Sequence, residues 1–204
     1  MFVSWIKKYI LPKEVDFLGA MYEHAKVINK IADSLYHCTV KQSCDDVEKH
    51  FKSSKEIYDN HMKELLNVFI TPIDRESIYR VTTQLDWTAL SIYHFYLEAK
   101  AYDIAFDQSY REIIAKIKLQ AELLTAGFKT VKTHPNKTDE SAKKVRKLYE
   151  EISRIYIEKM VELSHSNDIK AMFEHKSLLH QLKDISRHLR MSANSLEDII
   201  MKTV

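Results

Sequence analysis

Ten histidines are the most conspicuous candidate metal ligands in this chain. They occupy positions 24, 37, 50, 61, 94, 134, 165, 175, 180 and 188. No two of them are four residues apart and no HExxH sequence occurs, so the helical metalloprotease arrangement is absent. We therefore expect these histidines to be surface or half-buried residues.

Carboxylates leave a metal-binding alternative open. In di-iron helical bundles, glutamates on several inward-facing helices share the ions. This chain offers glutamates on several segments: Glu23, Glu98, Glu122, Glu158 and Glu162. The alternative hypothesis is therefore a metal-binding helical-bundle protein, or a metal-dependent enzyme that uses such carboxylates.

The sequence gives little support for a nucleophilic active site or for a phosphate-binding loop. Gly19 and Gly127 are the only glycines, so neither a GxSxG elbow nor a glycine-rich phosphate loop can form. We expect no enzymatic activity and no cofactor.

Composition predicts a helical chain without a nucleic-acid surface. The 204 residues include two Gly and three Pro, which leaves little turn chemistry for an all-β fold. The 31 basic and 29 acidic residues give a net charge of +2. A protein that binds nucleic acid usually carries a basic excess, so nucleic acid is not an expected partner.

Cysteine usage and hydropathy favour the cytoplasm. Cys38 and Cys44 are the only cysteines, and we expect ordinary thiols rather than a disulfide or a metal pair. No run approaches the 18 apolar residues that a transmembrane helix needs.

The first residues are apolar but are interrupted by Lys7 and Lys8. The segment either lies in a membrane interface through Phe2, Trp5, Ile6 and Tyr9 or packs on the following helices. We favour the second alternative, which allows peripheral membrane contact at most.

Helical periodicity predicts an all-α chain of six long helices in an antiparallel bundle. The expected breaks lie near residues 42, 70, 105, 135 and 166, and residues 132–139 read as the clearest loop. The predicted helices run from Glu14 to Val40, from Ser43 or Asp45 onward, from Thr71 to Ala105, from Asp107 or Ser109 to Thr130, from Glu140 to Leu163, and from a cap at Ser166–Asp168 to Lys202.

The turn before the third helix carries strong capping signals. Thr71 is the expected N-cap, Pro72 the first helical residue, and Asp74 a near capping box. Arg75 and Glu76 then fall in the first turn. Because Arg75 opposes the helix dipole there, we expect a carboxylate partner for it.

The string from Phe69 through Ile70 to Glu76, FITPIDRE, resembles the signature of the PhoU-like family associated with inorganic phosphate transporters. Three other segments are similar to the family pattern: Leu11–Lys13, Leu85–Asp86 and Leu196–Lys202.

The resemblance implies a single helical domain over residues 1–204, built of two similar three-helix halves, 1–104 and 105–204. It also implies a non-enzymatic accessory role in phosphate transport or its regulation, exerted through helical-surface contacts. The implied partner is a protein, either a low-affinity Pit-type phosphate permease or a signalling protein. Self-association into a homo-oligomer is compatible with it.

Members of the family carry acidic pairs four residues apart that hold metal clusters. In an ungapped alignment these pairs fall on Phe51/Lys55, Asp86/Leu90, Tyr149/Ser153 and Lys183/Arg187, with Trp87 in place of an adjacent acid. Only Asp86 keeps a carboxylate, and it is the one residual metal candidate. Since hard cations need several oxygen ligands, we expect no metal cluster.

Lys183 and Arg187 put positive charge where the family would place cations. They either attract an anion such as phosphate or form ion pairs with Asp86 or Glu150, and we favour the ion pairs. A register shift that brings Glu150 or Asp184 inward would restore acidic ligands, which keeps the metal-binding alternative open.

Overall fold

Six helices make up the part of the chain that the structure describes. A computed structural model describes residues 15–41, 44–106 and 108–203, and within these ranges it contains no strand. The helices are α1 (Phe17–Lys41), α2 (Asp45–Asn67), α3 (Arg75–Ala101), α4 (Gln108–Thr130), α5 (Pro135–Ser164) and α6 (Ile169–Thr203). The expected all-α architecture is confirmed.

Consecutive helices are antiparallel, so the short connections alternate between the two ends of the bundle. α1 packs against α2, α3 and α4, while α6 packs against α3, α4 and α5. The start of α1, the α2–α3 turn, the α4–α5 turn and the end of α6 therefore lie at one end. We call this the signature end.

The core follows the helical apolar spacing along each chain segment. A stripe on α1 is almost fully excluded from solvent, as are matching stripes on α3, α4 and α6: Phe17, Met21, Ile28, Leu35, Ile78, Leu85, Ile92, Ile113, Ile117, Leu124, Leu182, Leu189 and Leu196. Burial of such side chains contributes about 1.5–3 kcal/mol each before the entropy cost of ordering them.

The start of α5 differs from its predicted position. α5 begins at Pro135, five residues before the predicted Glu140. The polar stretch that was predicted to be a loop is partly helical, because Pro135 fits the first helical position. Thr138 of this stretch is buried, and its Oγ1 donates to Gly127 O at 3.1 Å. At α6 the predicted cap is present, since Asp168 Oδ1 accepts from Ala171 N at 3.0 Å.

The expectation of two free thiols is wrong. Cys38 and Cys44 form a disulfide across the α1–α2 connection, with their Cα atoms 4.8 Å apart. α2 begins at Asp45 with Cys44 at the N-cap position. The predicted cap Ser43, the predicted start Asp107 and the N-terminal segment up to Glu14 lie outside the described residues.

The signature turn is capped by Asp74 rather than by Thr71. α3 begins at Arg75, so Thr71 is not its N-cap and Pro72 is not its first residue, contrary to the prediction. The predicted capping role of Asp74 and the predicted place of Arg75 and Glu76 in the first turn are confirmed. Asp74 accepts from Ser77 N at 2.8 Å, from Ser77 Oγ at 2.9 Å and from Lys202 Nζ at 2.9 Å. The Lys202 and Ser77 hydrogen bonds lower the pKa of Asp74 to about 2.

The side chain of Arg75 binds backbone carbonyls at the end of the preceding helix, α2. Its guanidinium donates to Leu65 O at 2.5 Å, to Val68 O, and to Phe69 O at 3.3 Å. These carbonyls belong to the unsatisfied C-terminal end of α2, where positive charge is favourable. Within the described structure the partners of Arg75 are therefore backbone carbonyls, and the expected carboxylate partner is wrong.

A histidine pair lies buried between α1 and α2. His24 is fully buried, and its Nε2 lies 2.9 Å from Ser54 Oγ. The ring of His61 lies edge-on, with its centroid 5.9 Å from that of His24. Burial, with a smaller contribution from His61, lowers the pKa of His24 to about 3.

We predict that Asp74→Ala lowers the free energy of unfolding by about 1 kcal/mol, because the first turn of α3 loses its cap. Thr71→Ala is the matched control and should change it by less than about 0.5 kcal/mol. Urea denaturation followed by circular dichroism measures both. Equal losses in the two variants would mean that the helix starts at Thr71.

Because His24 is buried, we predict that the free energy of unfolding falls at acidic pH. The unfolded chain protonates this histidine below its ordinary pKa of 6.5, whereas the folded protein resists protonation down to about pH 3. Stability from neutral His24 is therefore present above pH 6.5 and is lost as the pH falls. Between pH 7 and 5 the wild type should lose about 2 kcal/mol more than His24→Gln. Parallel pH slopes in urea melts would refute this assignment.

Candidate functional site

The positions where the family resemblance places acidic pairs lie on α2, α3, α5 and α6. Phe51 of α2 stacks on Tyr93 of α3, with ring centroids 4.3 Å apart and an interplanar angle of 6°. Stacked aromatic rings fill space with apolar surface and offer no ligand to a hard cation.

Asp86 is the one carboxylate of these pairs, and it is largely buried. Its Oδ1 lies 3.9 Å from Lys55 Nζ, which also lies 3.8 Å from Asp59 Oδ1. Burial raises the pKa of Asp86, and Lys55 partly opposes that effect. A lysine thus occupies the position from which a second carboxylate would share a cation with Asp86.

Trp87 connects α3 to α6 across this face. Its ring lies edge-on to His188, with centroids 5.9 Å apart, yet 46% of the residue remains exposed. Burial and the neighbouring Arg187 lower the pKa of His188, and Asp184 partly opposes them. Nothing in the sequence pattern alone indicated this contact.

Cation–π contacts join α5 to α6 where further acids are expected. Lys183 Nζ lies 4.5 Å from the ring centroid of Tyr156, and the Arg190 guanidinium lies 4.8 Å from that of Tyr149. Arg187 Nε donates to Asp184 Oδ1 at 3.1 Å. In the described structure neither Lys183 nor Arg187 pairs with Asp86 or Glu150, so these two cations do not converge on one anion.

A shallow groove between α3 and α6 adjoins Trp87. Two carboxylates, Glu98 and Asp184, line it, and Glu98 accepts hydrogen bonds from Ser177 Oγ and Gln181 Nε2 of α6. Both oxygens of Glu98 therefore hold the two helices together, and neither is left free for a ligand.

A shifted register would bring Glu150 or Asp184 inward. Asp184 pairs with Arg187 and lies 3.7 Å from His180 Nε2. Glu150 is exposed on α5, and its neighbour Glu151 accepts from Lys116 Nζ at 2.8 Å. Among residues 15–41, 44–106 and 108–203, no three His, Cys, Asp or Glu side chains are placed to share a metal ion. These residues do not fit a metal cluster.

Buried glutamine–serine pairs fix how α6 sits on its neighbours. Ser195 Oγ donates to Gln84 Oε1 of α3 at 2.9 Å, and Ser186 Oγ donates to Gln120 Oε1 of α4 at 2.7 Å. Gln120 Nε2 also donates to Val145 O of α5 at 3.0 Å. These bonds set the rotation of α6, which determines that Lys183 faces Tyr156.

The bundle defines the class of fold: the chain has a PhoU-like fold. A solved PhoU-like protein from Shewanella oneidensis MR-1 superposes with a TM-score of 0.75 at 12% identity, covering 91% of this chain and 99% of that one. A candidate PhoU-like phosphate regulatory protein from the same organism gives 0.70 at 13% identity, with the same coverage. The predicted PhoU-type bundle is confirmed.

Similarity in sequence extends along almost the whole chain. It is 25% identical over 206 residues to the UPF0111 protein YkaA of Bacillus subtilis (strain 168), covering 94% of this chain and 92% of YkaA. No family model matches the chain. The resemblance first indicated by FITPIDRE is thus supported both by a full-length relative and by the fold.

We predict that the purified protein binds no iron or manganese stoichiometrically, because Lys55 lies between Asp86 and Asp59 and a hard cation needs several oxygen ligands. Elemental analysis of the protein as isolated, followed by calorimetric titration with Fe²⁺ and Mn²⁺, measures this. Asp86→Asn and Asp184→Asn are the control variants. Tight binding that either substitution abolishes would show that the site survives in another register.

Proposed function

We propose that this protein is a non-enzymatic regulator of inorganic phosphate transport that acts through helical-surface contacts with a phosphate permease. The observation that carries the proposal is the fold, which it shares with a candidate phosphate regulatory protein over nearly the full length of both chains. The proposed place of action is the cytoplasm, at the inner face of the membrane.

The chemistry of the described residues supports regulation by contact rather than catalysis. The face where PhoU-like proteins carry acids holds stacked rings and cation–π pairs here, which suit packing against a protein surface. A regulator with such a surface needs no bound metal to present its contact residues.

Trp87 is the proposed centre of the contact surface. It is a large aromatic residue, 46% exposed, on α3, and its ring contacts His188 of α6. Tryptophan and arginine are enriched among residues that dominate binding energy in protein interfaces.

The test is phosphate uptake in the source organism. We expect deletion of the gene to change the initial rate of radiolabelled phosphate uptake severalfold, and the wild-type gene to restore it. Trp87→Ala should restore less than half of the effect, because truncating an interface tryptophan typically costs about 2 kcal/mol or more.

Leu119→Ala is the matched control, since Leu119 is exposed to a similar extent, 43%, on α4. It should restore uptake fully. Uptake that is unchanged by deletion at both low and high external phosphate would refute the proposed function. Full rescue by Trp87→Ala would refute the assignment of the contact surface.

A further inference from the structure

A groove of about 680 Å³ lies at the end of the bundle opposite the signature end, and the disulfide forms part of its wall. Both Cys38 and Cys44 line it. Cys38 is only 3% exposed, whereas Cys44, at the N-cap position of α2, is half-buried. A thiol that enters the groove therefore reaches the sulfur of Cys44 more readily than that of Cys38, and access is one of the factors that select the sulfur under attack.

The charged side chains of this groove favour an anionic visitor. Lys100, Asp103 and Arg111 line it, so two cations and one carboxylate give a net charge of +1. Lys100 and Arg111 are both exposed, which leaves their charges able to act on a molecule in the groove. Positive charge beside a cysteine also favours the thiolate, the form that takes part in disulfide exchange.

The compartment gives a reason for the bond to be reversible. Disulfides are rare in the cytoplasm, and those that occur there are usually transient and catalytic or redox-sensing. The cytoplasm is the proposed place of action of this protein, and the inference rests on that part of the proposed function. We therefore expect the bond between the only two cysteines of the chain to open and close there.

We propose that Cys44 undergoes reversible disulfide exchange with an anionic low-molecular-weight thiol that binds in this groove. The thiolate attacks Cys44 Sγ, the Cys38–Cys44 bond breaks, and Cys38 leaves as a thiolate that takes a proton from water. A second thiolate attacks the outer sulfur of the mixed disulfide and releases Cys44 as a thiolate. In sum, one protein disulfide and two small thiols become two protein thiols and one small-molecule disulfide.

Opening of the bond frees the start of α2. Cys44 occupies the N-cap position, and its side chain makes no capping hydrogen bond to the first turn. In the oxidised protein its sulfur ties that turn to Cys38 at the buried end of α1. Reduction removes this covalent tie, so the first turn of α2 should open locally more often.

The experiment compares three two-carbon thiols that differ in the charge at their far end: mercaptoethanesulfonate, mercaptoethanol and cysteamine. Each reacts with the full-length oxidised protein, the reaction is quenched with N-ethylmaleimide, and the intact mass counts the labelled cysteines. Each rate constant is divided by the one for a small reference disulfide, which removes differences in thiol reactivity. We expect the sulfonate to react about fivefold faster than mercaptoethanol, and cysteamine about fivefold slower, as for unit charges close together in water.

Two double variants test whether the groove causes this preference. Lys100→Met/Arg111→Met should remove the advantage of the sulfonate, because the groove then keeps only the carboxylate of Asp103. Lys129→Met/Lys137→Met is the matched control, since it removes two exposed positive charges at the signature end. It should keep the wild-type order of rates. Circular dichroism checks that both variants fold.

Hydrogen exchange followed by mass spectrometry tests the release of α2. Peptides that cover residues 46–50 should exchange about tenfold faster or more in the reduced protein, because the short closed loop no longer restrains them. Residues 150–160 of α5 should exchange equally in both forms. Cys38→Ser/Cys44→Ser should match the reduced protein without any added thiol.

Three results would overturn the exchange site: two free thiols that the disulfide form of mercaptoethanesulfonate fails to join, a bond that none of the three thiols opens in the folded protein, or relative rates that do not depend on thiol charge. Equal exchange of residues 46–50 in both forms would overturn the release of α2. These assays use the purified protein and do not measure phosphate uptake, so their failure is distinguishable from failure of the proposed function.

Discussion

The end of α2 presents carbonyl groups that no residue of its own helix can satisfy, and the arrangement of the signature end follows from that requirement. Arg75, the first residue of α3, supplies the donors, so α3 must begin directly beside the end of α2. The adjacent Asp74 caps α3 and binds Lys202 of α6. Two consecutive residues thus join three helices, which gives the FITPIDRE string a structural reason for its composition.

The face where the family resemblance places acidic pairs carries groups that satisfy one another. A cluster of carboxylates without cations would repel itself and raise the cost of burial. Here the remaining acid, Asp86, faces Lys55, while the cations of α6 lie on tyrosine rings or pair locally. Aromatic side chains fill space on this face, and the lysine and arginine side chains have partners that do not require a metal.

The fold was largely predictable because apolar residues recur at helical spacing over long segments, and that spacing determines which face is buried. Contacts between segments distant in sequence were not predictable in this way. Arg75 looked unfavourable for its own helix because its benefit lies at the end of another, and Pro135 looked like a loop residue although the first turn of a helix accepts it. The Cys38–Cys44 bond was not expected, because six residues of separation say little about geometry. The loss of the acidic pairs was visible in the sequence, whereas the partners of Lys183 and Arg187 required coordinates.

The buried hydrogen bonds of Gln84 and Gln120 constrain how such a protein can transmit a signal. Turning α6 about its axis by one residue, roughly 100°, would separate Ser186 and Ser195 from their glutamines and leave buried polar groups unpaired, at about 1–3 kcal/mol each. A helix of this length, about 50 Å, instead behaves as a stiff rod that tilts or shifts with its neighbours. An event at one end of the molecule therefore reaches the other end as a rigid displacement and not as a twist.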